Sequence, residues 1–357
     1  MKMILSPLLT VALPILGQLN TAHAAPKPIG SIIRLATERE DAIYQVGESV
    51  AFKLEVLRGE SPIKSGKISY ILDDTGPNKI ADGQIELNGE QQIIKGKLPR
   101  PGFLRCVVTY RSAEGKTIRS IAGAAVSPEK IEPSLPVPTD FEKFWNQQKS
   151  LLAKIPVESK LTPVQSRDGN VEAFDAQISC VDEVPVSGYL ARPRGAKPKS
   201  LPIVLWVHGA GVGSSSLGNA VTGAKNGMLS MDINAHGLPN GKPRTFYTEQ
   251  NAGPLKNYRH AGREKRETIY FRGMFLRLVR AIDFLTAQPE WDGKTVCVIG
   301  HSQGGYQALV AGGLDSRVTF IGVGVPAGCD HTGAVANRVS GWPKIVPNGS
   351  DGKPDAA

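Results

Sequence analysis

The sequence predicts two domains of different fold class, an all-β domain followed by an α/β domain. Short segments between residues 25 and 128 alternate apolar and polar residues with a period of two, as strands with one buried face do. After residue 139, apolar runs alternate with longer amphipathic segments, which predicts strands connected by helices. Three prolines within residues 129–138 indicate a linker between the two domains.

Residues 1–24 have the pattern of a secretory signal peptide. Lys2 is followed by an apolar stretch from Ile4 to Gly17, and Ala22-His23-Ala24 matches the A-x-A pattern of a cleavage site. The apolar stretch is too short to cross a bilayer as a retained anchor. We therefore expect a secreted or periplasmic protein that begins at Ala25 and is not attached to a membrane after cleavage.

The segment 25–128 predicts a β-sandwich. Residues 50–56 place Val, Phe, Leu and Val on one face, and the same alternation recurs in 68–72 and 104–110. Turn signals such as Asn88-Gly89 separate these runs. Several short strands at this spacing favour an immunoglobulin-like sandwich.

The region 139–357 predicts alternating helices and strands. Thr139 and Glu142 form a capping box, which predicts a helix with Thr139 as its N-cap. The elements that follow are strands over 201–207, 228–233, 295–299 and 320–325, and a helix over 268–288. Because strands alternate with helices, we expect a mostly parallel sheet that is covered on both faces.

The segment Gly300-His301-Ser302-Gln303-Gly304 matches G-x-S-x-G in the context that a nucleophile elbow requires. The strand 295–299, expected to be buried on both faces, precedes it, and a segment able to form a helix starts at Gly305. Such a sharp turn needs small residues at both glycine positions and presents the serine hydroxyl at a helix N-terminus. Ser302 is therefore the predicted nucleophile, and the alternative is an idle serine in a glycine-rich turn.

The loop His208-Gly209-Ala210-Gly211 follows the predicted strand 201–207. In an α/β-hydrolase this loop supplies one backbone N–H to the oxyanion hole, and the residue after the nucleophile supplies the other. The corresponding groups here are the N–H groups of Ala210 and Gln303. The tetrahedral intermediate of acyl transfer carries a negative charge on oxygen, and each donor lowers the barrier by about 3 kcal/mol.

A dinucleotide-binding site is a competing interpretation of the same loop. Gly209 and Gly211 follow a strand and Asp232 ends the next one, as in a dinucleotide fingerprint. Ser214, however, stands where the pattern G-x-G-x-x-G requires its third glycine. A nucleotide-dependent oxidoreductase therefore remains an alternative.

The charge distribution and the motifs present limit the partners and cofactors that the sequence predicts. The formal net charge is +9, but charges of both signs are interspersed, as in residues 263–267, and no basic stripe with interleaved aromatic residues occurs. We therefore expect no nucleic-acid partner. Because the chain contains neither C-x-x-C nor H-E-x-x-H, we expect no metal site, and the serine chemistry needs no other cofactor.

From Thr139 onward the sequence resembles the acetyl xylan esterase and cephalosporin-C deacetylase family of α/β-hydrolases. The resemblance rests on Asp140, Phe141, Phe144 and Trp145, on His208 and Gly209, on the elbow 300–305 and on the segment 232–237. Two positions depart from the family pattern, since His236 replaces an arginine and Ala210 replaces an aromatic residue. The resemblance implies a serine esterase that deacetylates sugars with a Ser–His–Asp triad and without a metal.

The acid and the base of such a triad lack clear candidates. In this fold their chain order is serine, acid, histidine. The only histidine after Ser302 is His331, and its immediate neighbour Asp330 is poorly placed to bond to it. The resemblance places both groups beyond Ala357. We therefore expect an α/β-hydrolase sheet that is incomplete at its C-terminal edge, a chain shortened by on the order of 70–80 residues, and impaired activity.

Four further residues near these motifs are candidate contacts to a sugar: His208, His236, His301 and Tyr258. The alternative for each of them is a structural role in its loop.

Two functions from different classes follow from the sequence. One is an exported serine esterase of the acetylesterase type, acting on acetylated polysaccharide or oligosaccharide. The other is a catalytically inactive carbohydrate-binding protein on the same fold.

Overall fold

The first part of the chain is built from β-strands in the computed structural model, which describes residues 30–76 and 78–349. Residues 30–73 and 79–128 belong to one compact unit. Its strands are β1 (Ser31–Thr37), β2 (Ile43–Tyr44), β3 (Val50–Arg58), β4 (Ser61–Pro62), β5 (Lys67–Asp73), β6 (Lys79–Glu86), β7 (Gln92–Gly96), β8 (Gly102–Arg111) and β9 (Thr117–Val126). The predicted signal segment, residues 1–24, lies outside the described residues.

These strands form two sheets around one hydrophobic core. One sheet has the order β1-β3-β4, with β7 also paired to β3, and the other has the order β2-β9-β8-β5-β6. Phe52 and Leu54 of β3 and Leu104 and Val108 of β8 all lie in this core, which follows from the alternation along each strand. The unit is therefore a two-sheet β-structure, whereas its immunoglobulin-like character stays a prediction.

The second unit contains residues 129–349. Its helices are α1 (Phe141–Ala153), α2 (Leu217–Lys225), α3 (Arg244–Ala252), α4 (Tyr270–Thr286) and α5 (Gln303–Leu314). Its strands are β10 (Ser159–Val164), β11 (Val171–Ile178), β12 (Val186–Pro193), β13 (Leu201–Val207), β14 (Leu229–Ile233), β15 (Trp291–His301) and β16 (Phe320–Gly324). None of the described helices is long and apolar enough to cross a membrane.

The strands of this unit form one sheet in the order β10-β11-β12-β14-β13-β15-β16. The neighbours β14, β13, β15 and β16 are parallel, whereas β10, β11 and β12 pair antiparallel. The expected mostly parallel sheet is thus mixed, because tight connections between β10, β11 and β12 replace the helical crossovers that parallel neighbours require. The carboxyl ends of the parallel strands β13, β14 and β15 lie at the same edge of the sheet.

Two local predictions need correction. The N-cap of α1 is Asp140 rather than Thr139, and it makes no side-chain capping bond, because its carboxylate pairs with Arg266 at 2.7 Å. The strand that precedes Ser302 is buried through Val296 and Val298, whereas the opposite face, with Ile299, is only half-buried. The strand next to it, β16, is the edge of the described sheet.

Candidate active site

Ser302 occupies the turn between β15 and α5 in a backbone conformation that side chains rarely adopt. Its φ is 58° and its ψ is −119°. A non-glycine residue held there stores roughly 1–3 kcal/mol of strain, which surrounding contacts must offset. The backbone N–H of Ser302 donates to Gly324 O at 2.9 Å, and Ala327 N–H donates to Ser302 O at 3.0 Å. These contacts hold the turn in the sharp shape that the sequence predicts.

Two glycines of the turn are required by close approach of the backbone. A methyl group on Gly300 would lie 2.3 Å from the carbonyl carbon of Gly304, and one on Gly304 would lie 2.3 Å from Val207 O. Both distances are below any real carbon contact. The start of α5 therefore lies directly against the end of β13, where the loop His208-Gly209-Ala210-Gly211 begins.

The hydroxyl of Ser302 is available for chemistry. Ser302 is the N-cap of α5, but its side chain makes no capping bond. The positive end of the helix dipole at this position favours negative charge that develops near the serine. Throughout residues 30–76 and 78–349, no hydrogen-bond partner contacts Ser302 Oγ.

The loop after β13 passes beside this serine. A methyl group on Gly209 would lie 3.3 Å from His301 O and 3.9 Å from Ser302 Cβ. In the part of the chain that the structure describes, neither Ala210 N–H nor Gln303 N–H donates to a protein acceptor. Two unpaired backbone donors in segments that flank a serine are what an oxyanion hole requires.

His208 faces a buried carboxylate rather than the serine. Its Nε2 contacts Asp232 Oδ1 at 2.5 Å, and Asp232 is completely buried. Burial lowers the pKa of His208, but the hydrogen bond and the charge of Asp232 outweigh it, so the pKa is raised. Asp232 also accepts from Ser216 N and Asn219 Nδ2. Its oxygens are therefore filled by protein donors, which removes the acid that a dinucleotide site would need for a ribose.

His236 and Tyr258, two predicted sugar contacts, lie inside the protein, and each is 4% exposed. His236 Nδ1 contacts the Tyr270 hydroxyl at 2.7 Å, and its Nε2 contacts Gly211 O at 2.9 Å. The Tyr258 hydroxyl donates to Gln303 Oε1 at 2.8 Å. Because these polar atoms already have protein partners, neither side chain offers a sugar the surface that the sequence predicts.

The remaining candidate site residues are His301 and the pair Asp330 and His331. His301 is exposed, and its Cδ2 would lie 2.8 Å from a methyl group on Gly324. The Asp330 carboxylate accepts from Ser134 Oγ at 2.6 Å and from Arg338 Nε at 2.7 Å. His331 Nε2 contacts the Tyr306 hydroxyl at 3.3 Å. The structure thus brings neither member of that pair into contact with Ser302 Oγ.

A cavity of about 250 Å³ lies at the carboxyl ends of β13 and β14. Residues 208–214 form one side of it and residues 234–236 form the other. It therefore lies against the loop that carries Ala210, whereas Ser302 is not among the residues that line it. Within residues 30–76 and 78–349, no group of three or more His, Cys, Asp or Glu side chains is arranged to hold a metal.

Sequence reasoning missed two side chains that shape this site. Gln307 Nε2 donates to His208 O at 2.9 Å, and Tyr270 contacts His236. Gln307 lies one helical turn after Gln303, so its position on the same face of α5 was a usable signal. Tyr270 begins α4, far along the chain from the segment 232–237, and no local pattern connects the two.

Comparison with known proteins gives concordant matches. The sequence model of a family described as acetyl xylan esterase (AXE1) matches residues 129–340. Acetyl esterase Axe7A of Xylanibacter ruminicola is 31% identical over 341 residues, which is 92% of this chain and 75% of that protein. The solved structure of the acetyl xylan esterase from Paenibacillus sp. R4 has a TM-score of 0.50 and 28% identity. That match covers 59% of this chain and 66% of that chain, just under two thirds of its length.

Proposed function

The chain belongs to the acetyl xylan esterase family, and on this premise we propose that it hydrolyses acetyl esters of xylan or related saccharides through an acyl-enzyme on Ser302. The matches described above confirm the family resemblance, and the second unit has an α/β-hydrolase-like fold. The observation that carries the proposed mechanism is the strained Ser302, with an unpaired hydroxyl beside the loop 208–211.

The proposed reaction proceeds in two acyl transfers. Ser302 Oγ attacks the acetyl carbonyl carbon while its proton passes to solvent water, and the carbonyl oxygen becomes an oxyanion. The N–H groups of Ala210 and Gln303 donate to that oxyanion. The C–O bond to the sugar then breaks, and the sugar oxygen takes up the proton. Water cleaves the acetyl-serine by the same steps and releases acetate.

No base is hydrogen-bonded to Ser302 Oγ among the described residues. His331, the one histidine that the sequence offers as a base, contacts the Tyr306 hydroxyl rather than Ser302 Oγ, and His208 is bonded to Asp232. A nucleophile with an oxyanion hole retains some catalysis without its base, but far less than a full triad. We therefore propose that this chain turns over slowly. The pattern of residues 1–24 further supports our proposal that it acts after export.

The test compares the protein with its Ser302→Ala variant. The assays follow hydrolysis of p-nitrophenyl acetate and acetate release from acetylated xylan, with circular dichroism to show that both proteins fold. We expect measurable turnover that the substitution abolishes. Equal rates in the two folded proteins would contradict the assignment of Ser302.

A second candidate function is carbohydrate binding without catalysis, and the absence of a hydrogen-bonded base at Ser302 Oγ within the described residues favours it. Calorimetric titration with acetylated and deacetylated xylan oligomers separates the two functions. Saturable binding together with undetectable acetate release would favour the binding protein. Acetate release that depends on Ser302 would favour the esterase.

A further inference from the structure

Three aromatic side chains, Tyr258, His236 and Tyr270, form a cluster behind the loop that follows β13, and we call it the aromatic clamp. Tyr258 and His236 are buried, and Tyr270 is half-buried. The ring centroids of His236 and Tyr258 are 4.6 Å apart in an edge-to-face arrangement. Those of Tyr258 and Tyr270 are 5.3 Å apart, and those of His236 and Tyr270 are 5.8 Å apart. Because all three rings contact one another, each limits the movement of the other two.

His236 is hydrogen-bonded to the loop through its Nε2 atom. A carbonyl oxygen only accepts hydrogen bonds, so the 2.9 Å contact with Gly211 O requires that Nε2 carries the proton. Burial, with a smaller contribution from the Arg277 charge, lowers the pKa of His236 to about 4 and keeps the ring neutral. Nδ1 is then unprotonated and accepts from the Tyr270 hydroxyl at 2.7 Å. Tyr270 therefore selects the tautomer that donates to the loop.

Tyr258 connects the loop to the start of α5. Its hydroxyl donates to Gln303 Oε1 at 2.8 Å. Gln303 is fully buried and its Nε2 has no partner among the described residues, so this bond is the one that orients its amide there. Burial raises the pKa of Tyr258. The Tyr258 ring also packs edge-to-face on His236, whose Nε2 contacts Gly211 O, and this connects Tyr258 to the loop.

Ala210 lies between two anchored carbonyl groups. On one side, Gln307 Nε2 donates to His208 O at 2.9 Å. On the other side, His236 Nε2 donates to Gly211 O. Two glycines flank Ala210, and an unrestrained loop of this composition would sample many backbone conformations. The anchors therefore hold the loop on both sides of Ala210 and limit the directions in which Ala210 N–H can point.

We propose that Tyr258, His236 and Tyr270 are positioning residues that hold the backbone N–H groups of Ala210 and Gln303 in a fixed orientation beside Ser302. This inference rests on the proposed function, because it assigns the two N–H groups to one oxyanion. Preorganised donors stabilise a transition state because they need no reorganisation when charge develops. A displacement of about 1 Å in such a group costs on the order of 100-fold in rate.

The test uses a matched pair of variants at His236. The amide of His236→Gln reaches as far as Nε2 and keeps a donor for Gly211 O, whereas the amide of His236→Asn reaches only as far as Nδ1. Tyr258→Phe removes the contact to Gln303. Tyr247→Phe is the control, because Tyr247 is also buried and its hydroxyl donates to a backbone carbonyl, Pro239 O, at 2.7 Å.

The first readout is hydrogen exchange of the amides in residues 209–213 and 303–307, followed by mass spectrometry, which needs no turnover. We expect faster exchange there in His236→Asn and Tyr258→Phe, and exchange near that of the unsubstituted protein in His236→Gln and Tyr247→Phe. The second readout is hydrolysis of p-nitrophenyl acetate. We expect kcat to fall about 10- to 100-fold in the first two variants, with KM changed less than about 2-fold.

The outcomes separate this inference from the proposed function. Unchanged exchange in folded His236→Asn and Tyr258→Phe would overturn the inference. Where the unsubstituted protein shows Ser302-dependent turnover, equal kcat in His236→Gln and His236→Asn would overturn it as well. Absence of Ser302-dependent turnover in the unsubstituted protein would refute the proposed function alone. In that case the exchange measurement still decides whether the aromatic clamp holds the two N–H groups. If one variant fails to fold, the other gives the same exchange result.

Discussion

His208 Nε2 is bonded to Asp232 Oδ1 at 2.5 Å, although the two residues are 24 positions apart in the chain. The carboxylate is completely buried and also accepts from Ser216 N at 2.7 Å and from Asn219 Nδ2 at 2.9 Å. A buried charge is tolerated when donors surround it in this way. The bond therefore ties the end of β13 to the end of β14 and to the start of α2.

The substitution Asp232→Asn should lower the pKa of His208. At present the hydrogen bond and charge of Asp232 outweigh the effect of burial; without that charge, burial dominates and the pKa falls below its ordinary value. Unfolding free energy should also fall, by about 2 kcal/mol or more. NMR titration of the histidine signals measures the shift. The control is Asp292→Asn, near the start of β15, which should leave the pKa of His208 unchanged. An unchanged His208 titration in Asp232→Asn would contradict this account.

A pair of glycine substitutions in α5 should have opposite effects. Gly304→Ala forces a methyl group to within 2.3 Å of Val207 O, so the elbow must shift or the protein must unfold. We expect a loss of about 2–4 kcal/mol in the free energy of unfolding. Gly313 has no neighbour within 4 Å of the added methyl group, so Gly313→Ala should be neutral or stabilising by up to about 1 kcal/mol. Denaturant unfolding measures both, and similar effects at the two sites would disprove the close approach.

Stability should depend on pH through His236. Its pKa in the folded protein is about 4, whereas an unfolded histidine titrates near 6.5, so between these values the unfolded chain binds more protons. The contribution is fully present above pH 6.5 and is lost as the pH falls toward 4, about 3 kcal/mol in all. The positive charge of Arg277 disfavours protonation of the His236 ring. The rings of Tyr258 and Tyr270 pack on it and keep it from solvent.

The measurement for this prediction compares unfolding free energies of the protein and His236→Gln between pH 4 and 7. The difference between them isolates His236 from the other groups that titrate in this range. We expect the variant to lose less stability on acidification. Parallel curves for the two proteins would mean that His236 titrates normally in the folded state.

A small external base should accelerate the proposed esterase. The Ser302 hydroxyl has no hydrogen-bonded base among the described residues, and general-base catalysis contributes on the order of 100-fold or more. We expect added imidazole to raise the Ser302-dependent rate of p-nitrophenyl acetate hydrolysis by about 10-fold or more. Ser302→Ala at the same imidazole concentration corrects for direct hydrolysis by imidazole. A Ser302-dependent rate that imidazole leaves unchanged would count against a missing base.

Local sequence patterns predicted the elements that carry the site with good accuracy. The predicted strand 201–207 coincides with β13, and α4 is two residues shorter at each end than its predicted range 268–288. The turn at Ser302 was equally readable, because a strand, two glycines and a helix start are contiguous in the chain. The antiparallel edge formed by β10, β11 and β12 was not foreseen, since strand order depends on contacts between distant segments.

The sequence by itself determined the local chemistry of this protein. It placed a serine in a strand-to-helix turn, a glycine loop after a parallel strand, and motifs specific enough to indicate the family. Only the tertiary structure decided which side chains those motifs contact. His236 and Tyr258 look like polar loop residues in the sequence, yet both are buried against Gly211 and Gln303. Hydrophobic periodicity records which face of an element is covered, but the partner of a buried polar atom depends on how distant segments pack.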